Sequence, residues 1–268
     1  MNRAPIGIFD SGLGGLTVAR AIFERLPGDS TIYFGDTARV PYGPKSPATV
    51  RRYSHEILGW LLGQRVKAVV VACNTSTAHA LDSLRAASTV PVIGVIEPGA
   101  RAAVRAAPDG PVGVIGTAGT VASGAYERAI QAFAPGTVVH QVACPLFVPL
   151  VEEGWFEHPA SELIAREYLA PLQQAGVRAL VLGCTHYPLL RPLLQRVMGP
   201  DVALIDSAEA TADEVAAAIL DRGLEAPAEH PPEHRYAVSD DAARFMAIGG
   251  RFVGGRLSAA EVVELGGA

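Results

Sequence analysis

The sequence predicts an α/β fold with largely parallel sheets, and three observations lead there. Short β-branched apolar runs alternate with longer amphipathic stretches along most of the 268 residues. The runs are almost continuously apolar rather than alternating, as strands covered on both faces are. The first and middle parts of the chain also look alike, which points to two similar domains made by duplication.

In chain order, a first strand is expected over 6–9. It ends in Asp10-Ser11-Gly12-Leu13-Gly14-Gly15-Leu16-Thr17. The glycines let the backbone approach a ligand, and the helix expected over 16–26 turns its N-terminus toward an anion. A strand over 31–34, a helix over 47–64 and strands over 68–72 and 90–95 complete the first part. The pattern then restarts, with strands over 112–115, 137–142, 179–182 and 202–205 and a helix over 161–175. Residues 6–12 line up with 112–118: an apolar strand, a hydroxyl residue, small residues, then a helix. Ser11 and Thr117 are 106 residues apart, and Cys73 and Cys184 are 111 apart. Loops absorb such a difference easily. Residues 225–235 are rich in proline and charge and read as a surface connection. The tail over 236–266 carries Phe245, Met246, Phe252, Val253 and Leu257 and is expected to pack back on the body.

Composition excludes several classes. At 49% apolar residues the chain has material for a core. A net charge of −5, with no basic cluster denser than Arg51-Arg52, disfavours nucleic acid as a partner. No apolar run reaches the roughly 20 residues of a membrane span. The start, Met1-Asn2-Arg3-Ala4-Pro5, leads straight into a strand without a signal-peptide core, so a cytoplasmic protein is expected. Three cysteines, none in a C-x-x-C pair, fit free thiols in a reducing compartment.

Ligands of open α/β sheets bind beyond the carboxyl ends of the strands. The residues there are Asp10-Ser11, Asp36-Thr37, Cys73-Asn74-Thr75, Glu97, Thr117, Cys184-Thr185-His186 and Asp206-Ser207. The glycine loop fails as a dinucleotide fingerprint, because Thr17 stands where Gly or Ala is required. Cys73 and Cys184 hold matching places, each at the end of an apolar strand where a helix begins. Free cysteines are commonly small buried hydrophobes, and hydroxyls or an amide at a helix start commonly serve as caps. Capping does not account for a thiol directly before the cap in both halves. A helix N-terminus favours thiolate. Two such thiols facing one pocket could take a proton from one face of a carbon and deliver one to the other, without a cofactor. His186 stands two residues beyond Cys184, where it could polarise that thiol or bind substrate. Scattered histidines and Cys184-x-His186 do not supply a zinc site. Cys144, before Pro145 and Leu146, has no polar context and reads as structural. Asp10 and Asp36 are candidate caps, and Glu152-Glu153 taken alone reads as an exposed turn.

With these residues in view, the chain resembles the glutamate racemases of the cofactor-independent aspartate/glutamate racemase superfamily. The segments that carry the likeness are Asp10–Thr17, Gly35-Asp36-Thr37-Ala38-Arg39-Val40-Pro41-Tyr42-Gly43, Ala72-Cys73-Asn74-Thr75, Ile115-Gly116-Thr117-Ala118-Gly119-Thr120-Val121 and Gly183-Cys184-Thr185-His186-Tyr187-Pro188-Leu189. The likeness spans roughly residues 6–220. Ser76-Thr77-Ala78 departs from the family's usual Ala-Ser-Ala, and the tail after 225 matches only loosely.

The resemblance implies two similar α/β domains, 1–95 with 208–268 and 96–207, with the active site in the cleft between them. It implies Cys73 and Cys184 as the acid/base pair, with Asp10 and His186 assisting. Asp10, Ser11, Tyr42, Gly43, Asn74, Thr75, Thr117, Thr120, Thr185 and His186 would hold the amino acid, and Asp36 and Glu152 would line the site. It further implies glutamate as substrate, D-glutamate for peptidoglycan as the purpose, no cofactor, no metal, no nucleic-acid or membrane partner, and a homodimer. Two other classes stay open on the residues alone. One is a Cys-His hydrolase or acyltransferase, for which Cys184 and His186 stand too close on one segment. The other is a non-catalytic binding module.

Overall fold

The computed structural model describes residues 2–227, 231–255, 257 and 259–265. In chain order the elements are β1 (Ile6–Asp10), α1 (Leu16–Arg25), β2 (Thr31–Gly35), α2 (Pro47–Gly63), β3 (Ala68–Val71), α3 (Asn74–Ala87), β4 (Val92–Gly94), α4 (Ile96–Ala106), β5 (Val112–Gly116), α5 (Ala118–Ala122) and α6 (Ala125–Phe133). There follow β6 (Val139–Ala143), α7 (Phe147–Glu152), α8 (Pro159–Gln174), β7 (Ala179–Gly183), a short 3-10 turn over Tyr187–Leu190, α9 (Arg191–Met198), β8 (Ala203–Ile205), α10 (Ser207–Leu220), β9 (His234–Val238), α11 (Ala242–Val253) and β10 (Glu261–Val262).

The strands form two wholly parallel sheets. One runs β10-β9-β2-β1-β3-β4, the other β6-β5-β7-β8. Within them β2-β1-β3-β4 and β6-β5-β7-β8 have the same order, so the duplication expected from the sequence is present in the topology. The register repeats too. Ile6 pairs with Thr31 on one side and Ala68 on the other, and Val112 pairs with Val139 and Ala179. Ala179 lies 111 residues after Ala68, the same offset that separates the two thiols.

Local chemistry explains why these segments fold as they do. The central strands β1, β3, β5 and β7 are buried along their whole length, and each fully buried Val, Ile or Leu contributes about 1.5–3 kcal/mol relative to an exposed one. Helix α2 starts where Ser46 Oγ accepts from the Thr49 N–H at 3.3 Å and Pro47 takes the first turn. Helix α8 ends at Gly176, whose φ of +64° suits glycine. The strand expected over 90–95 is shorter, because Pro91 has no N–H to give the ladder and contributes only its carbonyl, to Val69 N.

The tail departs most from expectation. It packs back as foreseen, with Phe245, Phe252 and Val253 buried. It also extends the first sheet: His234 and Arg235, placed in a surface connection by the sequence, already pair with Thr31 and Ile32 in β9. Residues 228–230 of that connection, and 256, 258 and 266 of the tail, lie outside the described residues. Among the described residues no helix is long and apolar enough to cross a membrane.

Candidate active site

Each thiol sits where a central strand stops and a helix starts. Cys73 caps α3: its Sγ accepts from the Ser76 N–H at 3.5 Å and lies 3.7 Å from Ser11 Oγ. Cys184 follows β7, with its Sγ 3.9 Å from His186 Nδ1. Both line one cavity of about 20 Å³, together with Ser11, Tyr42, Gly43, Asn74, Thr75, Thr117, Val148, Thr185 and His186. That space holds about one water, so an amino acid enters only if the walls part.

The remaining expected residues stand behind this wall and shape it. The Asp10 carboxylate accepts from Gly12 N–H at 3.0 Å and from Thr185 Oγ1 at 3.5 Å. Thr120 joins a hydroxyl triangle, 3.2 Å from Thr75 Oγ1 and 3.1 Å from Thr117 Oγ1. Asp36 is fully buried beneath Tyr42, whose hydroxyl donates to it. Arg39 Nε, at 2.7 Å, and Ser239 Oγ, at 2.8 Å, also donate to Asp36. Glu152 backs His186, with Oε1 3.2 Å from Nε2.

Two glycines of the expected binding segments are there for space. A Cβ on Gly14 would lie 2.3 Å from Thr185 Oγ1 and 2.5 Å from His186 Nδ1. A Cβ on Gly43 would meet Thr117 Cβ at 2.8 Å. The glycine loop thus admits the second half of the chain into close contact with the first.

The electrostatics of the two thiols differ. Burial, with the Asp10 charge adding to it, pushes the Cys73 thiol up to about 11 despite the Ser76 N–H. Burial alone would lower His186. Its contacts with Cys184 and Glu152, and the charge of Asp10, outweigh burial and hold the imidazole up at about 10. Burial likewise opposes ionisation of Glu152, but His186 and then Arg244 outweigh it and hold the carboxyl below its ordinary value. Cys73 therefore neighbours the Asp10 carboxyl, which burial holds above its ordinary value against the charge of His186, and Cys184 neighbours a cationic imidazole. Burial, then the neighbouring Cys184, pushes the Cys144 thiol far up. Its sulfur is fully buried, in keeping with a structural role.

Sequence reasoning missed Tyr126, which donates to Asn74 Oδ1 at 2.7 Å, and Val148 in the cavity wall. It also missed Ser239 beside Asp36 and Arg244, 3.8 Å from Glu152 Oε2. Ser239 follows the strand end Tyr236–Val238, so the rule that ligands gather beyond strand ends would have found it had that short run been read as a strand. A larger cavity of about 630 Å³, bordered by Arg20, Arg105 and Arg191, contains neither thiol. Phe252 lines it and stands edge-on to the His186 ring, 6.0 Å between centroids.

Comparison with known proteins agrees with this geometry. A model of the Asp/Glu/hydantoin racemase family matches residues 11–215. A glutamate racemase of Syntrophus aciditrophicus is 53% identical over 261 residues, which cover 97% of each chain. The structure of a glutamate racemase from Bacillus anthracis shares 39% identity and superposes with a TM-score of 0.95 over 99% of each chain. One from Francisella tularensis, solved in complex with D-glutamate, shares 36% identity with a TM-score of 0.93 over 98% of each chain. The chain belongs to the Asp/Glu/hydantoin racemase family, in which its relatives at this level of identity are glutamate racemases.

Proposed function

We propose that this chain interconverts L-glutamate and D-glutamate by direct proton transfer at Cα, with Cys73 and Cys184 as the two bases. The observation that carries the reading is that the two thiols end equivalent strands of the two sheets and line one cavity. The Cα–H of an amino acid is a very weak acid. Reaching it takes a positioned base and electrostatic help to the developing carbanion. One sulfur takes the proton as thiolate, and the other delivers its own from the opposite face. For L-glutamate, Cys184 is the base and Cys73 the acid, and the roles reverse for D-glutamate.

In this scheme His186, backed by Glu152, is the cationic partner of Cys184, and Asp10 faces Cys73. Ser11, Tyr42, Gly43, Asn74, Thr75, Thr117, Thr120 and Thr185 hold the substrate or the groups that touch it. The N-terminus of α3 turns N–H donors toward a carboxylate. Asp36 sets Tyr42. The substrate enters as the two domains part, 1–95 with 208–268 against 96–207, and closure excludes water. The chemistry needs no cofactor. The protein acts in the cytoplasm as a homodimer, and its product serves peptidoglycan synthesis.

The experiment is incubation with L-glutamate in D2O, following optical rotation and deuterium at Cα together. Loss of rotation with deuterium uptake is the expected result. A folded, reduced protein that changes neither would sink the reading. Repetition with aspartate measures the discrimination, for which one methylene supplies only about 1–3 kcal/mol.

A further inference from the structure

Tyr126 shapes the site without lining its cavity. Its side chain on α6 is fully buried. The ring lies against Gly183, where a Cβ would come within 3.0 Å of Cε2, and Gly183 directly precedes Cys184. The hydroxyl donates to Asn74 Oδ1 at 2.7 Å, and Asn74 directly follows Cys73. One phenol thus spans the two strand ends that carry the thiols.

The other end of the Asn74 amide is different. Asn74 is only 3% exposed, yet its Nδ2 has no partner among the described residues. Asn74 also lines the cavity that holds both thiols. Buried amide donors without an acceptor are rare and costly, and such a group at a cavity wall calls for an acceptor on the ligand.

We propose that Tyr126 is a positioning residue: by donating to Asn74 Oδ1 it fixes the amide so that both Nδ2 hydrogens face the cavity as donors to a substrate carboxylate. The proposal rests on the racemase reading above. An amide has nearly the same shape either way round, and only its hydrogen bonds choose its orientation. Turned over, it would point an acceptor at an anionic substrate. The phenol hydrogen is the one that Asn74 Oδ1 accepts. Burial, followed by the charges of Asp206 and Cys184, raises the phenol well above its ordinary range, so it remains a donor throughout neutral pH.

The test is a double-mutant cycle on D-glutamate affinity with Tyr126→Phe, Asn74→Ala and the pair, read by NMR titration, which reaches millimolar affinities. Phenylalanine keeps the ring against Gly183, and circular dichroism checks that each variant folds. Tyr126→Phe is expected to weaken binding about three- to tenfold, the range of one buried hydrogen bond. In the Asn74→Ala background the same change is expected to cost less than about twofold, because the group it positions is gone. An equal loss in both backgrounds would make Tyr126 a mere structural pin and overturn the proposal. Unchanged affinity in Tyr126→Phe would do the same. Racemisation of L-glutamate by the unmodified protein, measured alongside, tests the underlying reading separately.

Discussion

Buried His186 pairs with half-buried Glu152, with Nε2 and Oε1 3.2 Å apart, and the other imidazole nitrogen faces the Cys184 sulfur at 3.9 Å. The charge that Glu152 favours on the imidazole is thereby presented to one thiol and not to the other. This makes the two halves chemically unequal although their strands are arranged alike.

The pair predicts a pH dependence. His186 is held at about 10, above its ordinary 6.5. Its stabilising contribution is complete below about 6.5 and is lost as pH rises through about 10. Glu152 is held below its ordinary value, so its contribution is present above that value and lost as pH falls through the lowered one. Glu152→Gln removes a charge-assisted bond, and kcat/KM should fall about 10- to 100-fold. The alkaline limb of its pH profile should move to lower pH as His186 loses its partner. A pH–rate profile of the variant checks this, and an unmoved limb would show that Glu152 does not set the charge of His186.

Loss of either thiol should stop racemisation in both directions, because each turnover uses one sulfur as base and the other as acid. Cys73→Ala and Cys184→Ala are each expected to lose at least about 10²–10⁴-fold, the usual share of general acid–base catalysis. Each should retain proton exchange on one face only, visible as deuterium entering a single enantiomer without loss of rotation. Wild-type racemisation by Cys73→Ala would end the two-base scheme.

Gly14→Ala should damage activity more than stability. Its methyl would lie 2.3 Å from Thr185 Oγ1 and 2.5 Å from His186 Nδ1, so those side chains must shift. Overpacking of this kind costs about 1–3 kcal/mol. A displacement of about 1 Å at a reacting group can cost about 100-fold in rate. Thermal denaturation beside kcat/KM separates the two effects. A variant with full activity would contradict this account of the glycine loop.

Asp36→Ala should act first on stability. Asp36 is fully buried and accepts from Tyr42, Arg39 and Ser239. Its removal strands a partly buried guanidinium and a buried phenol, at about 3–5 kcal/mol for breaking such a buried pair. Denaturant titration measures the loss. A cost under about 1 kcal/mol would mean that Arg39 is satisfied by Glu56, its second carboxylate partner.

The strand ends were legible in the sequence because their chemistry is local. An apolar β-branched run specifies a buried strand, the hydroxyls, amides and thiols that follow specify a helix start, and the parallel rule places a ligand there. That reasoning finds Asp10, Ser11, Cys73, Asn74, Thr117, Cys184 and His186 without any knowledge of the fold, and the 111-residue offset between the thiols reappears as the offset between Ala68 and Ala179 in the sheet register. Tyr126 and Arg244 were not legible, since nothing in their neighbourhoods departs from ordinary helix residues, and Ser239 was missed only because the strand it follows was not read as one. The strand β9 escaped because its apolar run is short and follows a proline- and charge-rich stretch.

What the sequence determined by itself is therefore the class of fold, its duplication and the set of groups that carry chemistry, all encoded in periodicity and in neighbours a few residues apart. Only the tertiary structure decided which groups meet. Ser239 reaches Asp36 across 203 positions, Thr185 reaches Asp10 across 175, and Tyr126 reaches Asn74 across 52. No local propensity encodes such pairs. They follow from how two sheets, burying their apolar strands beneath helices of which α10 is shared between them, bring their polar strand ends to a common cavity.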